Sequence, residues 1–272
     1  MRVLDVDMDY FMRKVACGIP ESEKERLDEG EYGREVWSEQ DVRRFLENNL
    51  GLSKRHKIRG RVVSGHNESL FYWRELIERH ELTIPFEVVH VDSHADLGLG
   101  YSSWVYISDT LLTYPVAERP EYSQYRSVYG HMCCEGIGDY LLFAIAYRWV
   151  SNIVYCGNPC AKSTCYDYIS NTLKNFEAKI PLGKPMECVI QLMHNGNASI
   201  STINATTDLK AKQKYISESC KEPEVPMLLV PTVDDVKFDG KFDFATLAQS
   251  PNYTPASADY IMDIFREYII EE

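Results

Sequence analysis

The chain has 272 residues, 44% hydrophobic and 26% charged, and a formal net charge of −12. That length can bury a sizeable core without staples, while the acidic balance argues against nucleic acid and anionic membranes, both of which need a basic face. No run of about 18 apolar residues marks a membrane helix, and the opening MRVLDVDMDYF sets aspartates where a signal peptide needs apolar residues, so a cytoplasmic location is expected.

In chain order, residues 3–6 read as a buried strand. Residues 38–49 read as a helix opened by Ser38, with Asp41 three residues on in the manner of a capping box. A strand at 61–64, a helix at 69–80, a strand at 86–91, a helix at 138–150 and a strand at 152–156 follow. Further strands are predicted at 188–193 and 227–233, and a last helix at 257–270; 245–248 is apolar but too short to assign. The strands are mostly apolar without clean alternation, which a parallel sheet covered on both faces requires. The helices carry apolar residues at three- and four-residue spacing. The stretch 195–226, rich in Ser, Thr, Asn and Lys, reads as a surface excursion. With no internal repeat and no second core, residues 1–272 read as one α/β domain. The eight cysteines read as reduced thiols, because Cys156, Cys160 and Cys165 lack metal-binding C-x-x-C spacing. The sequons at Asn67, Asn197 and Asn204 then carry no meaning.

The chemistry lies at strand ends. In Phe86-Glu-Val-Val-His-Val-Asp92-Ser-His94-Ala-Asp96 a strand runs into Asp92, His94 and Asp96, which share one face while the chain stays extended. Ligands of open α/β sheets bind beyond the carboxyl ends of strands. Two carboxylates and an imidazole converging there repel or take up protons unless a cation holds them. Asp5, Asp7 and Asp9 repeat the pattern at the end of the first strand, without the glycine and distal glutamate of a calcium loop. Val62-Val-Ser-Gly65-His66 adds a histidine after a strand and a glycine turn. Oxygen-rich ligation with some nitrogen suits Mn²⁺ and, less well, Fe²⁺ or Zn²⁺. More carboxylates than one ion needs suggests two divalent ions about 3.5–4 Å apart, an arrangement of hydrolytic enzymes.

Asp92-Ser-His94-Ala-Asp96 resembles the D-[AS]-H-x-D motif of the arginase–agmatinase–deacetylase (ureohydrolase) superfamily. Val-Leu-Asp5-Val-Asp7 resembles its D-x-D strand, and His66 its early single histidine. The group that includes peptide arginases, which convert arginine to ornithine in ribosomally made peptides, is similar in further segments: Gly136-Ile-Gly-Asp139-Tyr140 and Ala248-Gln-Ser250-Pro-Asn-Tyr-Thr254-Pro255. In ordinary arginases the D-x-D strand follows the D-x-H-x-D strand. Here it comes first, as in a circular permutation, which nearby surface termini tolerate.

The resemblance implies a three-layer arginase-like fold with a mostly parallel central sheet. It implies one ion on His66, Asp92, Asp96 and Asp5 and a second on His94, Asp92, Asp5 and Asp7, with Asp9 in reserve. Asp96 would orient the attacking hydroxide and His131 would transfer protons. Glu135 and Asp139 are the candidates for pairing with a guanidinium. The family's late glutamate has no clear equivalent, and Ser250 stands near its place. The implied activity is hydrolysis of peptidyl arginine in a precursor peptide to ornithine and urea, with two Mn²⁺ ions as cofactor. The rivals are a deacetylase or other amide or amidine hydrolase on the same fold, and a non-catalytic, metal-stabilised protein that binds cationic peptides.

Overall fold

Val3 of the first strand faces one apolar layer, while Leu4 and Val6 face another. The period-two geometry of a strand sorts its side chains in this way, and a sheet with two such layers has apolar residues on both faces. The computed structural model describes residues 1–13, 26, 29, 35–98, 101–127, 129–161, 173–174 and 185–272. Its main sheet has nine strands: β1 (Arg2–Asp7), β2 (Ile58–Val63), β3 (Phe86–Asp92), β4 (Val150–Gly157), β5 (Leu173–Lys174), β6 (Met186–Ile190), β7 (Val225–Val230), β8 (Phe244–Ala248) and β9 (Ile269–Glu271). Their order is β9-β2-β8-β1-β3-β4-β7-β6-β5. Pairing is parallel from β9 through β7, and β6 runs antiparallel to both β7 and β5.

On one face pack α2 (Glu68–Glu78), α3 (Tyr101–Asp109) and α4 (Tyr140–Ala146), carrying Leu70, Trp73, Ile107 and Phe143. On the other pack α1 (Glu39–Arg44) and α7 (Tyr260–Arg266), carrying Val42, Ile261 and Phe265. The chain is therefore α/β, with a mostly parallel central sheet between two helical layers. No helix among the described residues is long and apolar enough to cross a membrane.

Several expectations are revised. Residues 245–248, too short to assign by pattern, belong to the fully buried β8 between β1 and β2. The last helix stops at Arg266, because the following residues become edge strand β9 against β2. The helix expected over 138–150 ends at Ala146, closed by Arg148 at φ +59°, and Val150 already opens β4. The α1 helix starts as expected, with Ser38 accepting from the Asp41 amide, then widens to a π-turn over Phe45–Asn49. Residues 195–226 are more than an excursion. They hold α5 (Ile200–Ala205) and α6 (Leu209–Glu218), which bury Ile200 and Tyr215 in the core, and their last two residues begin β7. Cys156 is buried at the end of β4 and Cys160 exposed just beyond it, both free thiols; Cys165 lies outside the described residues.

Candidate metal centre

Asp5 and Asp7 lie on the same face of β1 as Val3, and His90 and Asp92 lie on the same face of β3 as Val88. Polar groups thus replace the apolar layer at the carboxyl ends of the central strands. Beyond β1 the chain enters a single 3₁₀ turn, Met8–Phe11, whose first amides are capped by the Asp7 carboxylate accepting from the Asp9 N–H at 2.8 Å. This turn folds Asp9 back toward β3, where its Oδ1 accepts from the Ser93 amide at 3.1 Å. His66 follows β2 through a turn at Ser64–Gly65 that leads into α2. The triplet at the end of β3 does not stay extended: the strand ends at Asp92, and Asp96 takes a left-handed φ of +48°. The turn, not strand periodicity, brings Asp96 back beside Asp92.

The result is a small pocket lined by Asp7, His66, Asp92, His94, Asp96, Ile137, Gly138, Ser250 and Tyr253. His66 Nδ1 lies 3.1 Å from Asp7 Oδ2 and 3.0 Å from both Asp92 Oδ2 and Asp96 Oδ2. His94 Nδ1 lies 3.0 Å from Asp9 Oδ2 and 3.6 Å from Asp92 Oδ1. One imidazole nitrogen carries at most one proton and cannot satisfy three carboxylates. Accordingly Asp9 Oδ2, Asp92 Oδ2, Asp96 Oδ2 and both ring nitrogens of His66 are buried without a hydrogen-bond partner. Such orphaned donors and acceptors cost free energy unless something else engages them.

Charge tells the same story. Burial pushes Asp96 up to about 7, with Asp92 adding to it. Burial, then Asp7 and Asp92, push Asp9 well above the usual carboxylate range. For His66 burial works the other way, but Asp5, Asp7 and Asp92 outweigh it and raise the imidazole. Burial alone would raise Asp92; His66, His90 and His94 reverse that and hold it well down. Without a cation, burial and mutual repulsion favour proton uptake by this cluster, and a bound cation would take over that role. These residues offer carboxylate oxygens and imidazole nitrogens, the donor set of hard and borderline divalent metals. Among the described residues four such groups occur, with donor atoms within 4.8 Å of one another: Asp7–His66–Asp92, Asp9–Asp92–His94, His90–Asp92–Asp96 and Asp5–His66–His90. These buried groups can hold metal ions.

Of the residues named from sequence, Asp7, His66, Asp92, His94 and Asp96 line the pocket. Asp5 sits one layer below, accepting from Thr246 Oγ1 at 2.7 Å and from the Tyr140 hydroxyl. Asp9 joins His94 and Asp92. His131, Glu135 and Asp139 are not among the lining residues. His131 is exposed beside the short hairpin Tyr125–Arg126/Met132–Cys133. Glu135 is buried against its own cation, accepting from Arg74 and from the Tyr147 hydroxyl, both at 2.9 Å. Asp139 accepts from the Gly136 amide at 2.7 Å, and burial pushes its pKa up to about 6. Ser250, at φ +46°, donates to Asp7 Oδ2, and the ring of Tyr253 packs 5.1 Å from that of His94.

His90, Tyr140 and Thr246 belong to the site although the sequence motifs assign them no role. His90 had a signal, since it stands two residues before Asp92 on the same strand face. Tyr140 and Thr246 reach Asp5 only through tertiary packing. No protein-family model, curated protein or solved structure matches this chain.

Proposed function

We propose that the chain is a dinuclear metal-dependent hydrolase of the arginase–deacetylase kind, acting on arginine within a peptide to give ornithine and urea. The observation that carries the metal part is the pair of donor groups Asp7–His66–Asp92 and Asp9–Asp92–His94, which share Asp92. His66, Asp7, Asp92 and Asp96 would hold one ion, and His94, Asp9 and Asp92 the other. Asp9 thereby takes a place that motif comparison gave to Asp5, and Mn²⁺ suits the oxygen-rich set best. When bound, two such ions supply Lewis acidity and lower the pKa of water.

The chain's own residues do the rest. Asp96, which lines the pocket and keeps Oδ2 without a hydrogen-bond partner, would orient the attacking water. Ser250 steadies Asp7 by donating to it. Tyr253 and Ile137 wall the pocket and would limit water around a reacting group. Support for arginine comes from the motif resemblance and from the acidic chain. The permuted motif order is part of the same reading.

A second reading is an amide hydrolase on the same fold. It is favoured by the internal engagement of Glu135 and Asp139, which leaves neither lining the pocket to pair with a guanidinium. The test is incubation of the Mn²⁺-loaded protein with arginine-containing and acetyl-lysine-containing peptides, followed by mass spectrometry and assays for urea and acetate. Urea with a matching arginine-to-ornithine mass change is expected. Acetate alone would favour the second reading, and metal binding with neither product would leave a binding protein.

A further inference from the structure

Beneath the pocket lies a second row of polar residues in a layer otherwise apolar. In the parallel register, Thr246 of β8 stands opposite Asp5 of β1, and Asp5 opposite His90 of β3. All three are buried, Asp5 and His90 completely. From above, Tyr140 at the start of α4 donates its hydroxyl to Asp5 Oδ2, which also accepts from His90 Nδ1 at 3.1 Å. Asp5 Oδ1 accepts from Thr246 at 2.7 Å and lies 3.3 Å from His66 Nε2. Both carboxylate oxygens are therefore engaged, whereas Asp9, Asp92 and Asp96 each keep one oxygen without a partner. Asp5 is also absent from the pocket lining.

His66 is turned with Nδ1 toward Asp7, Asp92 and Asp96 and Nε2 toward Asp5. His90 spans from Asp5 to the top of β3, its Nε2 lying 3.0 Å from the His94 carbonyl and 3.3 Å from Asp92 Oδ2. Ligating imidazoles are commonly oriented by a carboxylate on the ring nitrogen away from the metal.

We propose that Asp5, held in the Thr246–Asp5–His90 row and capped by Tyr140, is a positioning residue that orients the His66 and His90 imidazoles and is not itself a ligand of the ions. This rests on the reading of the pocket as a metal centre. Asp5 Oδ1 is the carboxylate oxygen facing His66 Nε2, 3.3 Å away and without a hydrogen bond to it, and through its bond to His90 Asp5 sets where Asp92 and the His94 backbone sit.

The experiment compares wild type with Asp5→Asn, Tyr140→Phe and Thr246→Val. Mn²⁺ content is measured after gel filtration, Mn²⁺ affinity by chelator competition, and histidine ring ¹⁵N resonances in the metal-free protein. Asp5→Asn is expected to bind as many ions as wild type, with affinity lower by roughly 10–100-fold. The resonances of His66 and His90 should move while those of exposed His56, His80 and His131 stay. Tyr140→Phe and Thr246→Val, which leave the carboxylate in place, should move the same two histidines by less and carry the test if Asp5→Asn does not fold. Fewer ions bound by Asp5→Asn would make Asp5 a ligand and overturn the proposal. Wild-type affinity together with unmoved His66 and His90 resonances in the folded variants would overturn it as well. If wild type itself binds no Mn²⁺, the metal reading fails, and the ring resonances still decide whether Asp5 orients the two histidines.

Discussion

Asp92 belongs to three of the four Asp/His groups, so removing its carboxylate dismantles both halves of the proposed centre at once. Asp92→Ala is expected to lose stoichiometric Mn²⁺, read by metal analysis of the gel-filtered protein, and to lose turnover with it. His131→Ala makes the contrast. Its imidazole is exposed on a hairpin and outside the pocket lining, so both metal content and turnover should stay at wild type. A fall of about 10²–10⁴-fold in turnover alone would instead mark His131 as a general acid–base group that reaches the site with substrate bound. Asp139 sets a pH dependence. Burial raises its pKa from 3.8 to about 6 in the folded chain, so the native state holds its proton more tightly than the unfolded state does. Its contribution to stability is complete below 3.8 and is lost as pH rises through about 6, at most about 3 kcal/mol. Asp139→Asn cannot ionise and keeps an acceptor for the Gly136 amide. In denaturant titrations its stability relative to wild type should therefore rise between about pH 4 and about pH 7.

The strands that carry the site depend on how their entries are anchored. The segment leading into β8 is tied to the end of the α1 region, where the Phe238 amide donates to the Asn49 carbonyl at 2.7 Å and the Asn49 side chain donates to the Val233 and Val236 carbonyls. Gly51 and Gly240 meet at this junction, both at φ +73°, and a Cβ on Gly240 would fall 2.0 Å from the Gly51 carbonyl oxygen. Gly240→Ala combines left-handed strain with a backbone clash and is expected to cost about 2–4 kcal/mol, read by denaturant unfolding. Because the junction lies at the start of β8, the variant that folds should still bind Mn²⁺. At the opposite end of β8, Ser250 and Tyr253 stand at the pocket, and the Ser250 amide donates to the Ser64 carbonyl near His66.

Across the whole molecule, the charge of −12 creates a modest long-range attraction for cationic peptides that salt screens. A free amino acid brings an α-ammonium and an α-carboxylate that a selective site must pair. In a peptide those groups are neutral amides, and pairing groups built for them would be left desolvated. The described residues lining the pocket are carboxylates, imidazoles, a serine, a tyrosine, an isoleucine and a glycine, with no Lys or Arg among them to meet an α-carboxylate. Peptidyl arginine is therefore expected to be turned over far better than free arginine, and the rate at low substrate should fall with added salt. Parallel assays of urea release from both substrates check this. Efficient hydrolysis of free arginine with an untouched peptide panel would sink it.

The ends of β1, β2 and β3 were legible in the sequence because apolar runs stopping at Asp7, His66 and Asp92 place polar groups where a parallel sheet opens. The two-sided burial of the sheet was legible for the same reason, as strands without polar alternation. Local pattern could not decide between Asp5, Asp7 and Asp9, since all three are equivalent in a period-two reading. Their depth depends on register: Asp5 pairs across with Thr246 and His90 and is saturated there, while the 3₁₀ turn after Asp7 carries Asp9 to His94. Strand β8 was hidden because five residues make no periodic signal, although they complete the centre of the sheet. Glu135 looked available for a guanidinium until the packing of α2 and α4 brought Arg74 and Tyr147 to it. Residue type and strand ends are properties of the local chain. Which carboxylate is free and which is already engaged is set by partners far away in sequence, brought together only by the folded sheet and its helical layers.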